Sequence, residues 1–133
     1  MNLERDIIDF HEKYDNIYRG RARQLPEDLQ QFRSKFLQEE LEEYLQAVAE
    51  QNLEKQFDAL IDLVYVAIGT AYIQGFPFND GWKLVHEANM KKVRVKRASD
   101  SVRGSVYDVV KPTGWVPPNL GPIIEGTYEK TVD

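Results

Sequence analysis

Two groups of acidic residues stand at helical spacing and could bind a divalent metal. The first group lies in the run Glu39-Glu40-Leu41-Glu42-Glu43. At about 100° per residue, Glu39 and Glu43 lie about 40° apart on a helix, and Glu40 and Glu43 lie about 60° apart. These three side chains therefore form one carboxylate patch. Such a run taken alone is more often a solvated acidic face, with Lys35 as a weak ion-pair partner for Glu39.

The second acidic group makes a metal site the stronger interpretation. Asp58 and Asp62 are four residues apart and share one helix face. Asp62 lies inside an apolar run, residues 59–66, and no lysine or arginine follows within helical reach. An ionised carboxylate in such surroundings is costly unless a cation or strong donors compensate. Two alternatives stay open, namely a helix-dipole role for Asp58 and a hydrogen-bonded core network for Asp62.

The types of ligand available favour magnesium over other metals. Mg²⁺ prefers hard oxygen ligands, which two helices with paired carboxylates can supply. A di-iron bundle needs Glu-x-x-His pairs, but Ile8 and Lys83 stand three residues before His11 and His86. Zinc is disfavoured because the chain has no cysteine and only two scattered histidines. The chain also has neither a Walker-type glycine loop nor a GxGxxG motif.

A basic segment follows the acidic one and could bind the phosphates of a substrate. His86, Asn89 and Lys92 follow at three-residue steps and share a helix face. Asn89 suits a ribose or a base edge, and Lys92 suits a phosphate. Arg97 and Arg103 could add charge to the same site. The alternative is a polar outer face whose charges are merely solvated.

The last quarter of the chain has a different character. Residues 99–133 contain four of the six prolines and no helical period, which predicts a loop-rich arm with a short strand pair at about 105–110. Trp115 and Tyr107 should be buried, against this subunit or a neighbouring one. The simpler interpretation is that this arm has a packing role only. The alternative is that Lys111 contacts the substrate.

Four amphipathic segments precede this arm and predict an all-α fold. We expect helices at about residues 3–19, 26–51, 53–74 and 79–96, with Asn52 capping the third and Gly75 ending it. The expected architecture is a four-helix bundle, with a helical domain at 1–98 and the arm at 99–133. The apolar side chains expected to face inward are Ile7, Ile8, Phe10, His11, Tyr14, Ile17 and Tyr18 on the first helix, Phe32, Phe36, Leu37, Leu41, Tyr44, Leu45 and Val48 on the second, and Trp82, Leu84, Val85, Ala88, Met90 and Val93 on the fourth.

Composition limits the environment and the partners. The chain of 133 residues is the size of one domain, and its net charge of −5 argues against coating a nucleic acid. A charged N-terminal segment argues against a secretory signal, and the absence of cysteine suits a reducing compartment. The longest apolar stretch, 63–73, is too short to cross a bilayer. We therefore expect a cytoplasmic protein that contacts neither membrane nor nucleic acid polymer.

Three motifs in this order resemble the MazG-like all-α NTP pyrophosphatases. They are Glu40-x-x-Glu43 followed by the acids ending at Asp62, the stretch His86-Glu-Ala-Asn89-Met-Lys-Lys92, and Lys111-Pro-x-Gly-Trp115-x-x-Pro118. The superfamily also includes dimeric dUTPases, dCTP pyrophosphatases and phosphoribosyl-ATP pyrophosphatase. In one respect the chain departs from the pattern, because the usual Glu-x-x-Asp would place an acid at Ala59. We expect Asp58 to substitute for it.

The resemblance implies Mg²⁺-dependent hydrolysis, with Mn²⁺ as a possible substitute, between the α- and β-phosphates of a nucleoside triphosphate. Glu40, Glu43, Asp58 and Asp62 would hold the metal, and Glu39 would position or deprotonate a water. Lys92, with Arg97 or Lys111, would stabilise the departing pyrophosphate, and Asn89 with Phe10 or Tyr14 would hold the nucleoside. Related proteins are dimers or tetramers. The rival hypotheses are a non-enzymatic helical interaction module and a phosphoribosyl-ATP pyrophosphohydrolase.

Overall fold

A computed structural model describes residues 1–126, so the end of the predicted arm, 127–133, lies outside the described residues. Within them the chain is all-α, with four main helices and a loop-rich C-terminal part, as predicted. The elements in chain order are α1 (Leu3–Lys13), α2 (Glu27–Ala49), α3 (Leu53–Ile73), α4 (Phe78–Asn89), β1 (Val93–Arg94), a 3₁₀ turn (Ala98–Asp100), β2 (Val109–Val110) and α5 (Gly121–Ile124).

The helices α2 and α3 form an antiparallel hairpin that is the main packing unit. Its connection turns at Gln51, whose φ is +55°, and Asn52 then caps α3 by accepting a 3.0 Å hydrogen bond from the backbone N–H of Lys55. At the other end of α3, Gly75 has a φ of +76°, which favours glycine. The predicted cap and stop of α3 are therefore confirmed.

The face of α2 that contacts α3 differs from the predicted one. The buried residues of α2 are Arg33, Glu40 and Ala47, which recur every seven residues. The predicted core positions Phe36, Leu37 and Tyr44 are half-buried, but the others are exposed, namely Phe32, Leu41, Leu45 and Val48. The prediction was wrong for these four because α2 has apolar residues on more than one face, and this protomer covers only the face centred on Glu40.

The first helix packs on α3 and is shorter than predicted. Its prediction to residue 19 was wrong, since α1 ends at Lys13. Asp15 takes a left-handed conformation (φ +57°), and the N–H of Asn16 donates to the carbonyl of His11 at 2.9 Å. These interactions end the helix. Of the predicted apolar face, Ile7 and His11 are buried and two others are half-buried, whereas three are exposed: Phe10, Tyr14 and Ile17.

The fourth helix is also shorter than predicted at its C-terminal end. It begins at Phe78 and ends at Asn89, and β1 follows where the sequence predicted helix up to residue 96. Strand β1 pairs antiparallel with β2, with Val93 opposite Val110. The prediction of a strand near 105–110 was right for β2, but its partner lies after α4. The predicted inward positions Trp82, Met90 and Val93 are exposed, while Ala88 is buried.

The C-terminal arm lies against the end of α4. The indole N–H of Trp115 donates to the carbonyl of Ala88 at 2.7 Å, and the N–H of Val95 donates to the carbonyl of Asp108 at 3.2 Å. Trp115 is half-buried by this contact. Tyr107, in contrast, is exposed. Of the two predicted alternatives, burial against this subunit is therefore wrong, and burial against a neighbouring subunit stays a prediction.

Length alone does not exclude a membrane span for α3. The predicted short apolar stretch, 63–73, is part of a helix of 21 residues that contains an 18-residue window with a mean hydropathy of 1.3. Such a helix is long and apolar enough to cross a bilayer. The core helix of a soluble protein can be as long and as apolar. The contacts of α3 with α1 and α2, and the carboxylates of Asp58 and Asp62 within it, are typical of such a core helix. No membrane protein is therefore indicated.

Candidate metal centre

Three carboxylates from the α2–α3 hairpin meet at one point. Oxygen atoms of Glu40, Glu43 and Asp62 all lie within 4.8 Å of one another. Glu40 lies on the buried face of α2. Glu43 lies about 60° from Glu40 around the same helix and is exposed, and Asp62 lies on α3. The antiparallel packing of the two helices thus brings together acids that are 19 to 22 residues apart in the chain.

Glu40 lacks compensation for its burial. Only 9% of its surface is exposed, and its Oε2 atom is the one buried side-chain oxygen or nitrogen within residues 1–126 that has no hydrogen-bond partner. Burial raises the pKa of Glu40. The charge of Glu43, a side-chain hydrogen bond with Glu43, and the charges of Asp62 and Glu39 raise it further. A divalent cation with oxygen ligands would supply the missing partner. The three acids therefore fit a metal ion.

Asp62 is in a similar electrostatic environment. Its pKa is raised by burial first, and then by the charges of Asp58 and Glu43. No basic side chain forms an ion pair with Asp62, Glu40 or Glu43 in the part of the chain that the structure describes. No basic side chain within residues 1–126 therefore relieves the repulsion among these acids.

Asp58 and Glu39 lie beside this group rather than in it. Neither belongs to the set of acids with oxygens within 4.8 Å of one another, and both are exposed. Asp58 nevertheless raises the pKa of Asp62, and Glu39 raises that of Glu40, so both are close enough to act electrostatically. Ala59, where the superfamily pattern has an acid, is buried in the α2–α3 interface. Asp58 lines a polar cavity of about 320 Å³ next to Glu43.

The two lysines predicted to bind substrate lie together at a second place. Because Val93 pairs with Val110, Lys92 and Lys111 stand opposite each other at the end of the strand pair. Their Nζ atoms lie 5.4 and 5.1 Å from the ring centroid of Trp115. Within residues 1–126 neither lysine forms an ion pair. Two uncompensated cations that share one aromatic ring are suited to an anion.

The other predicted substrate residues are not part of this lysine pair. Asn89 is exposed at the last position of α4, and Arg97 forms an exposed 3.5 Å ion pair with Asp100. Arg103 is held by Asp108 at 2.9 Å. No hydrogen bond or ion pair joins the lysines to the acids among the described residues. Trp115 as the shared partner of both lysines was missed from the sequence, because only the strand pairing shows it.

An aromatic cluster joins α1 to α3. The ring of Phe10 is 4.9 Å from that of Tyr14 and 5.2 Å from that of Tyr65, and all three are exposed by at least a third. Tyr65 follows Asp62 by three residues, so their side chains are neighbours on α3. Sequence reasoning named Phe10 and Tyr14 for the nucleoside but missed Tyr65, which looked like one more core residue of an apolar helix.

Comparison with known families identifies the type of protein. The family model described as phosphoribosyl-ATP pyrophosphohydrolase matches residues 9–89, which is more than half of the chain. The chain belongs to this family. It is a MazG-like, all-α pyrophosphohydrolase family, so the predicted resemblance is confirmed. No curated protein matches the chain.

Membership of the phosphoribosyl-ATP pyrophosphohydrolase family supports a nucleotide pyrophosphohydrolase of the MazG-like type. The matched region begins within α1 and runs to the end of α4, so it contains all the acids of the candidate centre as well as Asn89. It ends before Lys92, Arg97 and Lys111, so the lysine pair rests on the structure of this chain alone. The acidic centre that can hold a metal thus lies within the part of the chain that the family model matches.

Proposed function

We propose that this protein is a magnesium-dependent nucleoside triphosphate pyrophosphohydrolase that cleaves between the α- and β-phosphates. The products would be a nucleoside monophosphate and pyrophosphate, and Mn²⁺ could replace Mg²⁺. The observation that carries this proposal is the buried, unpartnered Oε2 of Glu40 beside Glu43 and Asp62. The family match supports the reaction type.

Glu40, Glu43 and Asp62 would hold the metal, and Asp58 would complete the ligand set directly or through water. When bound, Mg²⁺ would supply charge neutralisation at the phosphate oxygens and a lowered pKa for an attacking water. The exposed carboxylate of Glu39 would orient that water and accept its proton. The water oxygen forms the new bond to phosphorus as the bond to the bridging oxygen breaks.

Lys92 and Lys111 would bind the departing pyrophosphate. Their convergence on Trp115 without a carboxylate partner supports this role. Arg97 would contribute only after release from Asp100, and an exposed pair of this kind is weak enough to exchange. Because no hydrogen bond or ion pair joins the lysines to the acids within residues 1–126 of one protomer, the acids and the lysines of one site could come from different copies of the chain.

Nucleoside recognition would involve Asn89 and the aromatic cluster. Phe10, Tyr14 and Tyr65 present half-exposed rings, and Tyr65 lies three residues after Asp62 on α3. A nucleobase can stack on such rings. Asn89 can both donate to and accept from a base edge or a ribose hydroxyl. These assignments leave the base and the sugar open.

A second candidate substrate is phosphoribosyl-ATP, which the name of the matching family favours. The test is a substrate panel of deoxy-, ribo- and modified triphosphates together with phosphoribosyl-ATP, assayed for released pyrophosphate with Mg²⁺. Turnover of triphosphates in preference to phosphoribosyl-ATP is expected. The reverse preference would favour the second candidate, and no turnover of any would favour a non-enzymatic helical interaction module.

We further propose that the protein is a cytoplasmic homodimer or homotetramer. An apolar groove of about 520 Å³ lies between α1 and α3 on the side of α3 away from Asp62, and its lining includes Phe57, Leu60, Ile61 and Val64. Exposed apolar side chains at this density are unfavourable in an isolated protomer. A second copy is the occupant that the oligomeric relatives suggest. Residues 1–98 would form the catalytic domain, and 99–133 the arm.

A further inference from the structure

A buried arginine joins α2 to α3 two helical turns from the acids. Arg33 is only 6% exposed. Its Nε donates to the hydroxyl of Thr70 at 3.0 Å, and its Nη2 donates to the carbonyl of Val66 at 2.9 Å. Within residues 1–126 no carboxylate pairs with it, and burial lowers its pKa. Such a cation is expensive to bury and needs its acceptors at fixed positions.

The surroundings of Arg33 are shaped to admit it. A Cβ atom on Gly69 would lie 2.7 Å from Nη2 of Arg33 and 3.1 Å from Nε2 of His11. Only glycine therefore lets the guanidinium approach α3 this closely. The Thr70 hydroxyl also donates to the carbonyl of Val66 at 2.8 Å, which fixes its orientation. Val66, Gly69 and Thr70 of α3 thus all accommodate the side chain of Arg33.

The position of Arg33 in the hairpin relates it to the acids. Arg33 precedes Glu40 by seven residues on the buried stripe of α2, and its acceptors Val66 and Thr70 follow Asp62 by four and eight residues on α3. At the other end of the hairpin the side chain of Gln56 reaches the carbonyl of Ala47 at 3.4 Å. The acids therefore lie between two polar contacts that share one antiparallel register.

Apolar packing alone would set this register poorly. A shift of α2 by one turn would exchange one apolar contact for another, but it would leave the guanidinium buried without acceptors. A shift of about 5 Å would also move Glu40 away from Asp62. The hydrogen bonds of Arg33 therefore favour the one alignment in which the carboxylates meet. A buried polar residue can specify helix register in this way.

We propose that Arg33 is a positioning residue that holds Glu40 and Glu43 in register with Asp62, with Gly69 and Thr70 as its required partners. This inference rests on the proposed metal centre. It assigns Arg33 no contact with substrate. The role is to fix the distance between the acids of α2 and those of α3, so its loss should weaken metal binding in a protein that is still folded.

Binding of Mn²⁺ to the protein in the absence of substrate tests the proposal. Free Mn²⁺ is measured by electron paramagnetic resonance while wild type, Thr70→Val, Arg33→Lys and Gly69→Ala are titrated well below their melting temperatures. Each variant should bind Mn²⁺ about tenfold more weakly than wild type, the equivalent of one hydrogen bond from a charged donor. Thr70→Val removes one acceptor while keeping the side-chain shape, so it should fold even if the other two do not.

Matched controls separate positioning from general damage. Gly81→Ala places a Cβ in open space within α4, and Lys35→Met removes an exposed cation from α2, so both should bind Mn²⁺ as wild type does. Wild-type affinity in folded Thr70→Val and Gly69→Ala would overturn the positioning role, even if their melting temperatures fall. Failure of wild type itself to bind Mn²⁺ would instead overturn the proposed metal centre.

Discussion

Glu40 on α2 and Asp62 on α3 bring carboxylate oxygens within 4.8 Å of each other across the helix interface. Both groups have raised pKa values, with burial as the largest cause in each case. Two ionised acids at this separation repel each other, and no basic side chain within residues 1–126 forms an ion pair with either of them. This contact is the reason for interpreting the hairpin as a metal centre and not as a packing unit alone.

Replacing Asp62 with asparagine should remove most of the activity. Asp62→Asn keeps the shape of the side chain but lowers the charge at the centre, so pyrophosphate release should fall by about 100-fold or more. Far-ultraviolet circular dichroism should stay unchanged. Glu42→Gln, an exposed acid in the same run, is the control and should retain activity. Activity of Asp62→Asn near that of Glu42→Gln would refute the metal assignment.

The lysine pair should matter to turnover and not to folding. Lys92→Met and Lys111→Met should each lower kcat/KM by about tenfold to 100-fold, because each removes one cation facing the developing charge on pyrophosphate. Lys83→Met, an exposed lysine of α4, should leave kcat/KM unchanged. Equal effects of all three substitutions would show that general charge, and not this pair, accounts for the loss.

The all-α class, the cap of α3 and the shared helix face of Glu40 and Glu43 follow from local rules of helix periodicity and capping. Their convergence with Asp62 also requires the register between α2 and α3. Features that depend on how one element packs against another were harder to predict. Which face of α2 meets α3 is decided by Arg33 and Glu40, two polar residues that a search for apolar stripes passes over. The end of α4 is decided by pairing with β2, and the partners of Trp115 by the same long-range contact.

Placing a charge in the apolar groove should disrupt self-association. Ile61→Lys puts an ammonium group among Leu60, Val64 and Phe57, where a second copy would bury it at high cost. Sedimentation velocity should show a shift from oligomer to monomer. Val102→Lys changes an equally apolar but fully exposed side chain of the arm and should leave the assembly intact. Unchanged sedimentation of Ile61→Lys would place the interface elsewhere.

His11 should make the folded state less stable at acidic pH. Its pKa is lowered by burial first and also by the charge of Arg33, while its Nδ1–H donates to the carbonyl of Asn16. The unfolded imidazole binds a proton below about pH 6.5, whereas the folded one does not until the pH reaches its lower pKa. The free energy of unfolding contributed by His11 therefore falls as the pH drops through this window and is unaffected above it.

Denaturant unfolding between about pH 7 and pH 5 measures this effect. His11→Gln should lose less stability than wild type over that range, because the variant lacks the His11 imidazole. The carboxylates contribute equally to both proteins, so their effect cancels in the difference. His86→Gln changes an exposed histidine and should follow the wild-type pH dependence. Parallel curves for His11→Gln and wild type would mean that folding does not change the pKa of His11, which would contradict this prediction.

Thermal melting of wild type and Glu40→Gln with and without Mg²⁺ is the most direct measurement of the metal centre. The substitution keeps the shape of the side chain without its charge, so the metal-free variant should melt higher than metal-free wild type. Mg²⁺ should raise the melting temperature of wild type and leave that of Glu40→Gln unchanged. A metal-free variant less stable than wild type, or equal stabilisation of both proteins by Mg²⁺, would contradict a metal site built on Glu40.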